Sequence, residues 1–154
     1  NYEVPEPWNR YYQPTPPTYS NGDGIIHIPP EVLPKLRNQY DNALRYLDYW
    51  VGRVRADLEE AGEWDNTVVA IIGDHGEGFM EHGLARHGTH LWEELIHVPL
   101  IVYLGKNVRE SLPQRPRSTV PDTVSGLDVA PTLAAMTATP GWRRPACSCC
   151  WACW

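Results

Sequence analysis

The sequence contains no apolar run that approaches the roughly 20 residues that a helix needs to cross a bilayer. Its N-terminus lacks a basic segment followed by an apolar core, so no signal peptide is visible and the localisation stays open. Basic residues are few, since 13 Lys and Arg stand against 19 Asp and Glu for a net charge of −6. Without a basic stripe to neutralise phosphates, nucleic acid is not an expected partner.

Cysteine is absent from the chain until its last residues. All four cysteines lie in the tail GWRRPACSCCWACW, residues 141–154. Structural zinc sites usually separate two cysteine pairs by a dozen or more residues, so this crowded spacing does not favour zinc. Residues 1–34 differ in another way, because they hold more than half of the 15 prolines and many tyrosines. That composition predicts loop or extended structure at a surface.

Apolar residues recur at steps of three and four from Leu36 to Leu58. This spacing predicts a long amphipathic helix with one buried stripe, and Gly62 suits the position just past its end. The following run, Val68–Ile72, is apolar and rich in β-branched residues. We expect a strand buried on both faces, as in a parallel sheet.

After this strand, the sequence continues to alternate between predicted helices and strands. It predicts a short helix around Leu91–Leu95, a strand over 98–104 and a polar, Pro-containing loop over 105–124. Asp128 can cap a final helix that tolerates Pro131 in its first turn. This order indicates an α/β fold without internal repeats. Two strands do not make a stable doubly wound sheet, so we expect further strands of this sheet to come from residues outside this chain.

Asp74 and His75 come directly after the first predicted strand. In open α/β sheets the chemistry sits beyond the carboxyl ends of the strands. A carboxylate and an imidazole there can bind a metal or an anion, although an N-cap aspartate beside a loop histidine would look the same. Further titratable residues lie downstream, close to Glu93 and Glu94. They are four histidines: His82, His87, His90 and His97.

Four motifs, in this order, resemble the C-terminal part of the sulfatase family in the alkaline-phosphatase-like superfamily. They are GDHGE (73–77), EHG (81–83), HGTHLWEE (87–94) and VPLIV (98–102). The chain has Trp92 where the family usually has Tyr, and His97 where Arg is usual.

Two flanking segments, YDNALRYLDYWVGRVRADLEEAG and SGLDVAPTLAAM, also resemble helices of the sulfatase family. The resemblance implies an alkaline-phosphatase-like three-layer α/β sandwich, present here in part. Residues 35–140 would form the C-terminal part of the catalytic domain. Residues 1–34 would be a Pro/Tyr-rich loop segment, and residues 141–154 a tail of unknown role.

The resemblance also implies roles for particular residues. Asp74 and His75 match ligands of the active-site metal, for which Ca²⁺ is favoured. Sulfatases proper more often carry Asn at the second position, so His75 leaves Mn²⁺ or Zn²⁺ open. His87 matches a Lys or His that contacts the sulfuryl oxygens or the leaving group, unless it is a surface histidine of a Gly-flanked loop. Three residues would support the site or hold its loops: His82, His90 and Glu77.

The family nucleophile is a formylglycine made from the cysteine of C-x-P-S-R or C-x-A-S-R, and neither motif occurs here. We therefore expect a sulfuric ester hydrolase of small-molecule or glycan sulfates whose nucleophile lies in a missing N-terminal half. The isolated chain should be inactive. A phosphodiester or phosphonate monoester hydrolase of the same superfamily stays open. Outside the enzymes, the alternative is a non-catalytic truncated fragment.

Overall fold

The computed structural model describes residues 2–14, 28–88, 90–112 and 119–136. Its helices are α1 (Leu33–Glu60), α2 (Glu93–Ile96), α3 (Lys106–Ser111) and α4 (Val129–Met136). Its strands are β1 (Val68–Ile72), β2 (Gly78–Phe79), β3 (Ala85–Arg86) and β4 (Leu100–Leu104). Single 3₁₀ turns occupy Trp8–Arg10, Trp64–Asn66 and Gly126–Asp128. None of the described helices is long and apolar enough to cross a membrane.

The chain divides into two compact units. The first contains the described parts of 1–61 and 73–98, and the second those of 62–72 and 99–154. Helix α1, the β2–β3 hairpin and α2 therefore belong to the first unit. Strands β1 and β4 belong to the second, with α3 and α4. These two units do not correspond to the predicted segments 1–34, 35–140 and 141–154, which were defined by the extent of the family domain. The predicted segment boundaries therefore stay a prediction.

Helix α1 confirms the helix expected from the apolar spacing. Pro34 lies in its first turn, where a missing N–H costs nothing. At its end the Ala61 N–H donates to the Asp57 carbonyl, and Gly62 follows with φ +73°. Glycine adopts that left-handed conformation without the steric cost that a Cβ brings, so Gly62 terminates the helix as predicted.

The apolar stripe of α1 is less buried than predicted. Leu44, Leu47 and Val54 are each about half exposed in the described structure. The residue that α1 buries completely is polar, since Asn42 is only 1% exposed. Its side chain accepts from the Tyr12 N–H at 2.9 Å and donates to the carbonyls of Asn9 and Tyr12. These bonds fix the N-terminal segment on the helix, and they explain why a buried amide is tolerated there.

The β2–β3 hairpin packs against the start of α1 through apolar side chains. Gly78 pairs with Arg86 and Phe79 with Ala85 in antiparallel register. Ala85 and Ile28 are buried together, and four half-buried residues pack around them: Val32, Leu33, Leu36 and Met80. Burying such side chains contributes on the order of 1–3 kcal/mol each, so this small cluster holds the hairpin on the start of α1.

The second unit is built on β1 and β4. Both strands occur where the sequence predicts them, but they pair antiparallel, from Val68 opposite Leu104 to Ile72 opposite Leu100. The expectation of a parallel strand buried on both faces is therefore wrong for the described residues. Ile72 and Ile101 are exposed. An apolar run indicates that a strand can be buried, but it carries no information on the direction of its partner.

Short helices complete the second unit and bring one correction. Helix α3 lies in the segment 105–124 that was predicted to be a loop. The Ser125 hydroxyl caps the 3₁₀ turn Gly126–Asp128 by accepting from the Leu127 N–H at 3.2 Å, and the capping of α4 by Asp128 stays a prediction. Pro131 does lie in the first turn of α4, as predicted.

Candidate functional site

The segment 73–98 of the first unit contains every candidate site residue that the sequence singled out. Gly76 explains how its first loop is held, because the Gly76 N–H donates to the Leu95 carbonyl at 2.8 Å. A Cβ added to Gly76 would lie 1.9 Å from the Glu94 carbonyl oxygen. Only glycine allows the Asp-His loop to approach the backbone of α2 this closely.

Asp74 and His75 form a local pair at the tip of this loop. The Asp74 side chain is 91% exposed, and its Oδ1 accepts from the His75 N–H at 3.0 Å. The His75 Nδ1 lies 2.8 Å from the Gly76 carbonyl oxygen. A carbonyl only accepts, so Nδ1 donates, and the neutral ring keeps its lone pair on Nε2. That tautomer is the one a histidine needs to bind a metal through Nε2.

The pair fits two positions around one metal ion. Asp74 Oδ1 and His75 Nε2 lie 3.8 Å apart. Two donor atoms that each bind an ion at about 2.0–2.6 Å can be up to about 4–5 Å apart, so this separation is compatible with a shared cation. Within the described ranges, no group of three or more His, Cys, Asp or Glu side chains is arranged to hold a metal. The pair alone could therefore supply no more than two side-chain ligands to an ion.

His87 stacks on His75, with ring centroids 3.7 Å apart and an interplanar angle of 27°. Its Nδ1 lies 3.2 Å and 3.3 Å from the two carboxylate oxygens of Glu77. The structure therefore brings three of the predicted site residues into contact. The stack places an imidazole that can donate a proton beside the imidazole that fits a metal.

Glu77 is the most buried charged group of this cluster, with a side chain only 7% exposed. The Tyr2 hydroxyl donates to its Oε2. Burial raises the pKa of Glu77 above its ordinary value of 4.5. The charge and hydrogen bond of His87, and a hydrogen bond from the Gly78 backbone, offset part of this rise in pKa. Glu77 thus contacts both the half-exposed His87 ring and the Tyr2 hydroxyl within the first unit.

His82 and His90 gather around a different residue. His90 stacks on Trp92 at 4.1 Å with an angle of 8°, and His82 lies 4.3 Å from the same indole. His82 Nε2 is 3.3 Å from Glu94 Oε1, but the geometry is not that of a hydrogen bond. Among the described residues, this buried oxygen has no hydrogen-bond partner. The three aromatic rings thus cluster at the start of α2, and a supporting role for these histidines stays a prediction.

His97 has an exposed environment. Its Nδ1 lies 3.2 Å from Glu93 Oε1, one helical turn earlier. Both side chains are solvated, and such pairs contribute little to stability. The cysteine-rich tail, with the question of a zinc site, lies outside the described residues.

Tyr2 is the site residue that sequence reasoning missed. It lies 75 positions before Glu77 and carries no motif. Its ring meets Tyr40 edge to face at 5.2 Å, and Tyr40 meets Phe79 at 5.3 Å. Spacing in a sequence identifies residues that share a local element, so it could not reveal this long-range contact.

Comparison with known proteins gives one consistent answer. The family model named Sulfatase matches residues 2–139. Iduronate 2-sulfatase of Homo sapiens is 35% identical over 78 residues, which are 50% of this chain and 14% of that protein. Arylsulfatase of Clostridium perfringens is 26% identical over 138 residues, 78% of this chain and 28% of the relative.

A third relative has a broader name. The multifunctional alkaline phosphatase superfamily protein PehA of Trinickia caryophylli is 33% identical over 69 residues, 44% of this chain and 13% of its own length. The chain therefore spans less than a third of the length of these curated relatives. No solved structure matches the chain significantly.

Proposed function

Since the chain belongs to the sulfatase family, we propose that it forms one side of the active site of a metal-dependent sulfuric ester hydrolase. The observation that carries the proposal is the Asp74–His75 loop, whose two donor atoms lie 3.8 Å apart. Such a hydrolase acts on a small-molecule or glycan sulfate ester. The proposal places the nucleophile outside these 154 residues, because neither family nucleophile motif occurs in the sequence.

Asp74 and His75 would hold the divalent cation. When bound, the cation supplies positive charge that polarises an oxygen of the ester group. Ca²⁺ suits the exposed carboxylate, and the imidazole also suits Mn²⁺ or Zn²⁺. The hydrogen bond from His75 Nδ1 to the Gly76 carbonyl supports the ligand role, because it orients the ring and keeps Nε2 available.

His87 would act on the transferred group through its Nε2. Negative charge grows on the sulfuryl oxygens and on the departing oxygen as the ester bond breaks, and a positioned N–H donor stabilises that charge. The Glu77 carboxylate lies 3.2 Å from His87 Nδ1 and so orients the ring with Nε2 directed away from Glu77. The stack on His75 supports this role, because it keeps the donor close to the cation-binding pair.

A phosphodiester or phosphonate monoester hydrolase on the same scaffold is the second candidate. Two observations favour it: the histidine at position 75, and the similarity to the alkaline phosphatase superfamily protein PehA. The chemical demands are alike, because sulfate and phosphate esters both develop negative charge on peripheral oxygens. Outside the enzymes, the alternative is that the chain is a non-catalytic fragment.

The test compares 4-nitrophenyl sulfate, bis(4-nitrophenyl) phosphate and 4-nitrophenyl phenylphosphonate, each assayed with Ca²⁺, Mn²⁺ or Zn²⁺. The 154-residue chain alone should give no turnover above buffer with any of them. A longer protein that contains these residues and a nucleophile motif should hydrolyse the sulfate fastest, and Asp74→Ala should abolish that turnover. His97→Ala is the matched control, since it removes an exposed histidine of the same segment and should leave the rate unchanged.

Three outcomes contradict parts of the proposal. Turnover by the isolated chain that disappears in Asp74→Ala would place the nucleophile within these residues. A preference for the phosphate or phosphonate ester would favour the second candidate. A longer protein with an intact nucleophile motif but no turnover of any ester would favour the non-catalytic alternative.

A further inference from the structure

We propose that Glu77 is a positioning residue that keeps the proton of His87 on Nδ1, so that Nε2 is the ring atom His87 offers to an anionic substrate. The tautomer follows from contacts within this chain alone. Only the identity of the group that Nε2 meets rests on the function proposed above.

The contact geometry defines the direction of the hydrogen bond. Both carboxylate oxygens of Glu77 lie within 3.3 Å of His87 Nδ1. The Tyr2 hydroxyl donates to one of these oxygens. An ionised carboxylate can only accept, so the Nδ1 atom carries the hydrogen of this bond. When the ring is neutral, its second nitrogen, Nε2, is therefore unprotonated. When the ring is protonated, Nε2 is a donor.

Burial restricts the Glu77 side chain, so Glu77 can orient the His87 ring. Its side chain is 7% exposed, whereas the His87 side chain is 43% exposed. The Tyr2 ring that holds Glu77 packs against Tyr40 of α1, and Tyr40 packs against Phe79 of β2. The acceptor, Glu77, thus lies in the interior of the unit, and the donor, His87, lies at its surface. A hydrogen bond to a charged group in such surroundings is stronger than the same bond in water.

His75 shows the same arrangement in the partner ring of the stack. Its Nδ1 donates to the Gly76 carbonyl, so Nδ1 of both stacked rings is bound to an oxygen of residues 76–77. Each ring keeps Nε2 for chemistry. The difference lies in the acceptor, because a neutral carbonyl holds His75 and a carboxylate holds His87.

The chain contains a matched control for this pair. His97 Nδ1 lies 3.2 Å from Glu93 Oε1, the same separation as in the His87–Glu77 pair. The His97 and Glu93 side chains are 63% and 83% exposed. Water competes for both groups of such an exposed pair, so it should not fix a tautomer.

The experiment is long-range ¹H–¹⁵N correlation NMR on the histidines of the ¹⁵N-labelled chain at alkaline pH, where each ring carries one proton. Neither metal nor substrate is added. Wild-type His87 should carry its proton on Nδ1, and His97 should show a mixture of tautomers. Glu77→Gln should keep the Nδ1 proton of His87, since the amide oxygen still accepts. Glu77→Ala should lose this preference, and Glu93→Ala should leave His87 unchanged.

A wild-type His87 with its proton on Nε2, or with mixed tautomers, would overturn the proposal without any variant. So would a Glu77→Ala protein that keeps both its folded spectrum and the Nδ1 proton. If Glu77→Ala does not fold, the wild type and Glu77→Gln decide the matter, and a His87 that changes tautomer in Glu77→Gln would count against it. Because the spectra need no turnover, a failure of the proposed hydrolase activity would leave this result standing.

Discussion

Substitution of Gly76 by alanine tests how the Asp-His loop is held. The new Cβ would lie 1.9 Å from the Glu94 carbonyl oxygen, 2.8 Å from its carbonyl carbon and 3.1 Å from Leu95 Cα. Ordinary contacts of a Cβ begin at 3.4 Å, so the loop or α2 must move by roughly 1.5 Å. All three neighbours are backbone atoms, which no rotation of a side chain can move away.

The cost has two parts. Inserting a methyl group into a tightly packed site costs about 1–3 kcal/mol. The movement also stretches the 2.8 Å hydrogen bond from the Gly76 N–H to the Leu95 carbonyl, whose loss costs about 1 kcal/mol. Gly76→Ala should therefore lower the free energy of unfolding by about 2–4 kcal/mol. For a chain of this size the midpoint temperature should fall by about 5–15 °C.

Thermal and urea unfolding, followed by circular dichroism, provide the measurement. Amide hydrogen exchange provides a local one, because the Gly76 N–H should lose protection. Gly52→Ala is the control, since Gly52 lies inside α1 with nothing within 4 Å of an added Cβ. It should stabilise the chain by about 0.5–1 kcal/mol. Equal stability of Gly76→Ala and wild type, with Gly76 still protected, would show that the loop does not approach α2 as described.

Three further predictions concern the site and the second unit. Asp74→Ala should reduce Mn²⁺ binding in equilibrium dialysis while His87→Ala leaves it unchanged, and metal loss in His87→Ala would make His87 a ligand. The raised pKa of Glu77 means that its ionisation costs folding energy. The stability advantage of wild type over Glu77→Gln, measured as the free energy of unfolding in urea titrations, should therefore be highest below pH 4.5. It should fall as pH rises through the raised pKa of Glu77. An advantage that grows with pH would refute this. Gly105→Ala should cost about 1–3 kcal/mol in thermal unfolding, because its Cβ would lie 2.4 Å from the Asp65 carbonyl oxygen, and an unchanged midpoint would contradict that contact.

Local patterns predicted the local features of this chain well. The step of three and four residues identified α1 and its terminating glycine, and β1 lies at the predicted residues. These features depend on interactions between residues a few positions apart, which the order of amino acids encodes directly. The loop Gly73–Glu77 likewise follows β1 as predicted, and the metal-binding role of Asp74 and His75 stays a prediction.

Long-range features were predicted poorly for a physical reason. The antiparallel pairing of β1 with β4 depends on the path of the chain between the two strands, and an apolar run does not encode that path. The buried Asn42 was missed because it lies outside the apolar stripe of α1, on the other side of the helix, and bonds to backbone groups some 30 residues away, which spacing does not reveal. The stripe itself was predicted to be buried, but spacing indicates which residues share a face and not what covers that face.

The candidate site depends on both kinds of information. Asp74 and His75 are neighbours in sequence, so a motif reveals them, and the hydrogen bond from His75 to Gly76 orients the ring within the same motif. His87 is different, because the carboxylate that orients it is itself held by Tyr2, 75 positions away. A motif search therefore finds the groups that could touch a metal or a substrate, and it misses the groups that determine how a histidine presents its nitrogen. In this chain that second group includes Tyr2, which donates a hydrogen bond to the buried Glu77 carboxylate. Under the tautomer proposed for His87, the chemical state of the site would depend partly on a residue without catalytic chemistry of its own.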